Sequence, residues 1–272
     1  MLEREDYEEP RCPMCNDLWV KDKVKMIPID RVLQKQDEYL GRNDYSGAER
    51  HLLYWMGEAE LGNDLKGRLL LSNELMGLYR KLGRKDEAIA YAGTALGLVD
   101  KLDVGREISG ATAMLNSATV YKAFGMPDKS LPLFEKAREI YESELDADDS
   151  RLAGLYNNMA LTMVDLHQYG QADGLYSKAI AVLEKNADTQ PDRAITYLNM
   201  ADAAEAELGQ EDAAERTEEY LEKAMALLDE TTKRDGYYAF VCEKCAPVFD
   251  YYGYFLYKKE LEDRAERIYR NQ

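Results

Sequence analysis

The chain has 272 residues, of which 46% are hydrophobic and 32% charged, and its 35 basic and 52 acidic side chains give a net charge of −17. That balance repels phosphate backbones and anionic bilayers, so nucleic acid and membrane are excluded as partners, whereas a basic peptide is attracted. No apolar run nears the ~20 residues of a bilayer span, the acidic start Met1-Leu2-Glu3-Arg4-Glu5-Asp6 is no secretory signal, and a cytoplasmic protein is expected.

Residues 1–27 read as an N-terminal arm with a CxxC pair, Cys12 and Cys15. From residue 28 to 272 a small residue recurs inside a helical pattern, at Ala48, Ala88, Ser130, Ala172, Ala214 and Ala265, spaced 40, 42, 42, 42 and 51 apart. Seven residues later come Trp55, Ala95, Ala137, Ala179 and Leu221; five earlier come the turn residues Asn43, Gly83, Gly125, His167 and Gly209. Twelve earlier lie Ala118, Ala160 and Gly253, with Ala201 one place out of register. Two helices joined by a tight turn approach closely only where side chains are small, and glycine supplies the positive φ that ends the first. Large residues such as Tyr79, Leu82, Phe134, Tyr141, Met159 and Tyr176 then fill the spaces at helical periodicity. Proline marks helix starts at Pro127 and Pro191. The pattern predicts six helical hairpins, over 30–67, 68–108, 109–150, 151–192, 193–236 and 237–272, with degenerate outer copies.

The segment Tyr156-Asn157-Asn158-Met159-Ala160, followed by Tyr169-Gly170-Gln171-Ala172 and Leu175-Tyr176-Ser177-Lys178-Ala179, resembles the tetratricopeptide repeat. The period of about 42 residues, longer than the family's usual ~34, is similar to the long-helix variety of kinesin light chains. The resemblance covers residues 30 to 272. It implies an all-α fold, a right-handed α-α superhelix of about six hairpins. It also implies an inner groove lined by the first helix of each hairpin, which binds a peptide or protein partner without catalysis.

Asparagine recurs two residues before the small first-helix position, at Asn116, Asn158 and, with the one-residue shift, Asn199; Asn73 is one residue off and Asn157 adjoins. Asparagine is a poor mid-helix residue, and its amide carries donors and an acceptor, so a ladder of them suits an extended peptide backbone. The resemblance implies that role; bonding to neighbouring helices is the alternative. Thr119, Lys122, Asp165, Asp202 and Glu205 lie further along the same faces, with Arg80 and Lys81 toward the N-terminal end. Such a groove is acidic toward the fourth and fifth hairpins and would prefer a basic ligand there.

The second cysteine pair, Cys242 and Cys245, precedes Pro247 in the stretched last repeat, where an irregular segment is expected. Four thiolates in two CxxC pairs have the makeup of a structural zinc site. The pairs are far apart, so closure needs the arm to fold back or a head-to-tail dimer. Reduced, unlinked thiols are the main expectation, and no cofactor is assigned. Neither His51 nor His167 has the spacing of a metal site or triad, and no phosphate loop is present, so no enzyme is expected. The acidic stretch Glu142–Ser150 reads as a solvated connection that caps the next helix. Nine aromatics between Tyr237 and Tyr257 read either as a cap over the core or as a contact for a second copy or a ligand. A ligand-responsive regulator whose superhelix changes pitch, and a zinc-linked assembly, are the alternative functions.

Overall fold

A computed structural model describes residues 26–270. Cys12 and Cys15 fall outside that range. Among the described residues there are twelve α-helices and no strand. They form two compact units, one ending at Asp103 and the other starting at Val104.

The first unit holds α1 (Ile29–Gly41), α2 (Tyr45–Leu61), α3 (Leu65–Lys81) and α4 (Lys85–Leu102). The second holds α5 (Ile108–Ala123), α6 (Pro127–Glu144), α7 (Ser150–Asp165), α8 (Tyr169–Leu183), α9 (Gln190–Leu208), α10 (Gln210–Glu230), α11 (Gly236–Tyr251) and α12 (Phe255–Arg270). Each odd-numbered helix packs on the even-numbered one that follows it. In the second unit α5 also adjoins α7, α7 adjoins α9 and α9 adjoins α11, so the first helices of successive hairpins lie side by side.

Local chemistry explains the turns. Asn43, Gly83, Gly125, His167 and Gly253 all have φ between 58° and 84°. The residue after each sends its N–H back to the carbonyl five residues earlier: Asp44 to Tyr39, Arg84 to Tyr79, Met126 to Tyr121, Gln168 to Met163 and Tyr254 to Phe249, at 2.8–2.9 Å. One left-handed residue thus stops the helix and satisfies an end carbonyl. Aspartates begin several helices: the Asp44, Asp64, Asp149 and Asp235 carboxylates accept N–H bonds from the first turns of α2, α3, α7 and α11. Asp64 also accepts from the N–H of Ile27 at 3.0 Å, tying the chain ahead of α1 to the start of α3. The acidic stretch before α7 behaves as read, with Asp149 as its cap.

The small-residue ladder is real, but its last two rungs differ from the sequence reading. Ala48, Ala88, Ser130 and Ala172 are fully buried where each second helix meets the first. In the fifth hairpin that place belongs to Ala213, fully buried, and Ala214 faces outward. The shift arises upstream, between the fully buried Ala179 and Ala194, and not within the fifth hairpin. This also brings Ala201 into register, twelve residues before Ala213. In the sixth hairpin Gly253 is the turn residue, not the small first-helix residue; Ala246, 1% exposed, has that role. The fourth residue of α12 is accordingly Lys258, and Ala265 matches Ala95, Ala137 and Ala179 on the second rung. The last repeat is therefore not stretched by nine residues. Leu82, expected in the core, is the C-cap of α3 and is exposed.

Cys242 and Cys245 stand on regular helix. α11 runs through both and past Pro247, whose ring faces solvent. The two thiols are buried in the cluster of Leu221, Leu228, Tyr238 and Phe249. Burial pushes the Cys242 thiol up to about 11 and the Cys245 thiol higher still. Protonated thiols in an apolar core are poor nucleophiles and poor metal ligands. Among the described residues no group of His, Cys, Asp and Glu converges on a metal position. His51 is buried, with Nε2 3.0 Å from the Val32 carbonyl, which makes it a core residue.

Candidate peptide-binding face

The asparagines divide between the two units. Asn73 and Arg80 belong to α3; Asn73 is half-buried and Arg80 is exposed. The Asn73 Oδ1 is buried with no hydrogen-bond partner. The second unit brings Asn116 on α5, Asn157 and Asn158 on α7, and Asn199 on α9 onto adjoining helices, all half-buried.

Their bonds show what the amides do in the free protein. Asn199 Nδ2 donates to Asn157 Oδ1 at 3.2 Å, between neighbouring hairpins. Asn158 Nδ2 turns back to the carbonyl of Gly154, one turn earlier in its own helix, at 2.8 Å. Thr119 likewise donates to Leu115 at 2.9 Å. These are single weak bonds on groups that retain solvent. Each leaves hydrogen-bonding capacity, since an amide offers two donors and two lone pairs.

The acidic end is more occupied than its composition indicates. The Asp202 carboxylate accepts from Tyr252 at 3.1 Å, Glu205 from Tyr251 at 2.7 Å and Asp192 from Tyr237 at 2.5 Å. All three donors come from α11 or its C-cap and all three acceptors from α9, so these tyrosines lace the last hairpin to the one before. Asp202 keeps solvent on its outer side, yet burial by the packed protein raises its carboxyl above the usual range, as it does for Asp192. Burial first, then the nearby Asp202 charge, pushes the Tyr252 phenol well up. Asp165 remains exposed. Sequence reasoning missed this lacing. A tyrosine 45 to 50 residues after an acid carries no local signal.

The nine aromatics therefore split. Tyr238 and Phe249 are core, Tyr251 and Tyr252 pack edge to face, Tyr254 and Tyr257 stack at 5.7 Å, and Phe255 is exposed. Arg264, 8% exposed, donates to the Tyr238 hydroxyl at 3.0 Å and pairs with Asp229 and Glu260, closing the end of this cluster.

Antiparallel helical hairpins, joined by left-handed turns and stacked on rungs of alanine, define a helical-repeat protein. Residues 68–143 match the family model of the tetratricopeptide repeat, and helical hairpins of the same build lie on either side of that match. Two solved structures of a putative kinesin light chain of Podosopora anserina with nearly identical TPR-like repeats are similar to this chain. One, a form carrying a single substitution, is 21% identical, covers 76% of this chain and 99% of its own, and has a TM-score of 0.57. The other form is 21% identical over 74% and 94%, with a TM-score of 0.50. A Rap protein complexed with competence and sporulation factor is more distant: 17% identity, 89% and 73% coverage, TM-score 0.48. At such identities the likeness speaks for the fold alone. No curated protein matches the chain.

Proposed function

We propose that this protein is a non-catalytic scaffold, and that the side of the second unit formed by α5, α7 and α9 holds an extended segment of a partner protein. One observation carries the reading. Asn116, Asn158 and Asn199 recur at one register on three helices that lie side by side, each half-buried. In two of the three, the amide is held only by a bond that a ligand backbone would replace. An amide that exchanges an internal bond for one to a peptide loses little, so binding energy goes to the ligand rather than to repair. Asn157, Thr119 and Lys122 flank this line, and Asp165 and Asp202 give its C-terminal end a negative field that favours a basic segment. Asn73 and Arg80 would serve the first unit in the same way.

Selection of peptides on the immobilised protein tests this, followed by titration of the best binders against Asn116→Ala, Asn158→Ala and Asn199→Ala. Each change should weaken binding about fivefold to twelvefold, a hydrogen bond of ~1–1.5 kcal/mol. Basic sequences should be enriched at low salt. Unchanged affinity in the triple variant would refute the assignment.

A further inference from the structure

The turn between α11 and α12 leaves a second feature in the same unit. A cavity of about 260 Å³ opens there between the C-terminal part of α9, the first half of α10 and that turn. Glu205, Thr217, Glu218, Leu221, Tyr252 and Tyr254 line it, and none of its lining residues is basic. Two of its polar atoms are buried and unpartnered. Thr217 is 95% buried, that is 5% exposed, and its Oγ1 has no hydrogen-bond partner. Glu205 Oε1 accepts from the Tyr251 hydroxyl, which leaves Oε2 buried without a partner. Buried polar groups without a partner are costly, and two converging on one cavity mark a place shaped for something that supplies donors.

The occupant's chemistry follows from the lining. Glu205 and Glu218 offer negative charge, Thr217 an accepting oxygen, Leu221 an apolar floor, and Tyr252 and Tyr254 aromatic walls. A ligand here must be cationic, must donate in several directions, and must carry an apolar stem. The nearby basic side chains are already engaged: Arg216 with Asp173 at 2.9 Å, Lys258 with Asp250 at 3.0 Å and Lys223 with Glu219 at 2.6 Å.

We infer that this cavity is a binding site for a guanidinium group, supplied by an arginine side chain of a peptide partner. A guanidinium presents five donors in a planar fork and stacks on aromatic rings; an ammonium is a compact charge with neither property. The cavity exceeds what one such side chain fills, so the stem enters with room for its backbone at the rim. None of the asparagines lines this site, so either reading can fail without the other.

The test is titration of the isotope-labelled full chain with capped arginine (acetyl-arginine methylamide), followed by backbone amide shifts. Parallel arms use the capped citrulline and capped lysine analogues, and free arginine. Saturable shifts are expected at residues 214–221 and 252–254, with citrulline at least about tenfold weaker because it lacks the charge. Glu205→Gln and Glu218→Gln keep size and acceptor capacity, and each should weaken binding about tenfold. Thr217→Val should weaken binding about threefold while raising the thermal midpoint of the free protein, because it removes the unpaired hydroxyl. Circular dichroism shows whether each variant is folded. Equal binding of citrulline, unchanged affinity in both glutamine variants, or shifts scattered over the acidic surface would overturn the site. Tighter binding of lysine would overturn the guanidinium, and tighter binding of free arginine would overturn the peptide as its source.

Discussion

Tyr176 offers a clean test of the packing argument. Its ring is fully buried on α8, and its hydroxyl has no hydrogen-bond partner. Burial raises its phenol well above the ordinary value, and the charges of Asp202, Asp165 and Asp173 add to the shift. Replacing it with phenylalanine removes one unsatisfied polar atom and leaves the ring in place. An orphaned buried group costs ~1–3 kcal/mol, so Tyr176→Phe should stabilise the chain by about 1–2 kcal/mol. For a body of this size that is roughly 2–4 °C in Tm per kcal/mol. Urea unfolding followed by far-ultraviolet circular dichroism reads the gain as a higher midpoint with an unchanged slope. The pH dependence has a definite sign. A phenol whose folded pKa lies above its unfolded value near ~10 adds stability that is complete below pH ~10 and lost as pH rises further. Tyr176→Phe should therefore flatten part of the alkaline fall. A loss of about 1 kcal/mol in the variant, with no change in the alkaline limb, would refute the reasoning and mean that the hydroxyl is satisfied in solution.

Four further outcomes follow from other features. Gly110→Ala should destabilise by several kcal/mol, or prevent folding of the second unit, because an added Cβ would meet the Val104 carbonyl oxygen at 2.0 Å; the midpoint in urea checks it. At the turns, Gly125→Ala should cost about 1–2 kcal/mol, since φ is +72° there, while His167→Gly at +58° should be neutral or gain up to ~1 kcal/mol. Removing Arg264 as Arg264→Ala should cost about 2–3 kcal/mol through the Tyr238, Asp229 and Glu260 bonds; Arg264→Lys should rescue only part of it. Peptide-resolved alkylation should label Cys242 and Cys245 in the native chain only at the rate of opening, because both thiols are buried and held protonated.

The middle of the array was readable from sequence because every level of the pattern agreed there. In the hairpins of α5 to α8, alanines, turn residues and helix starts keep one 42-residue spacing, and packing uses them at those spacings. Register failed where the sequence offers two neighbouring answers. Ala213 and Ala214 are both small, and packing decides that Ala213 faces α9. Gly253 is small too, and a turn glycine and a close-packing glycine look alike in a single sequence. Pro247 argued against regular helix around the cysteines, but its ring faces solvent and α11 continues through it. For the binding face, the residues were visible and their hydrogen bonds were not. The pairing of Asn199 with Asn157 spans 42 residues, and the tyrosine lacing of Asp192, Asp202 and Glu205 spans 45 to 50. The cavity beside Thr217 left no sequence signal, because its lining joins residues from separate helices and a turn.

The one-residue shift between the fourth and fifth hairpins has a consequence for how such arrays change over time. Losing one residue inside a helix would swing every later side chain by about 100° and bury the wrong face. Here the residue is missing between Ala179 and Ala194, where α8 ends, the connection 184–189 runs and α9 begins, and the register holds on either side. α10 therefore presents its own alanine to α9, and its apolar face still points inward. Turns are where repeat length is free to drift, and helices are where it is held. A hairpin could gain or lose a residue there while its neighbours kept their partners, and the array's period would record the history of its turns more than the demands of its core.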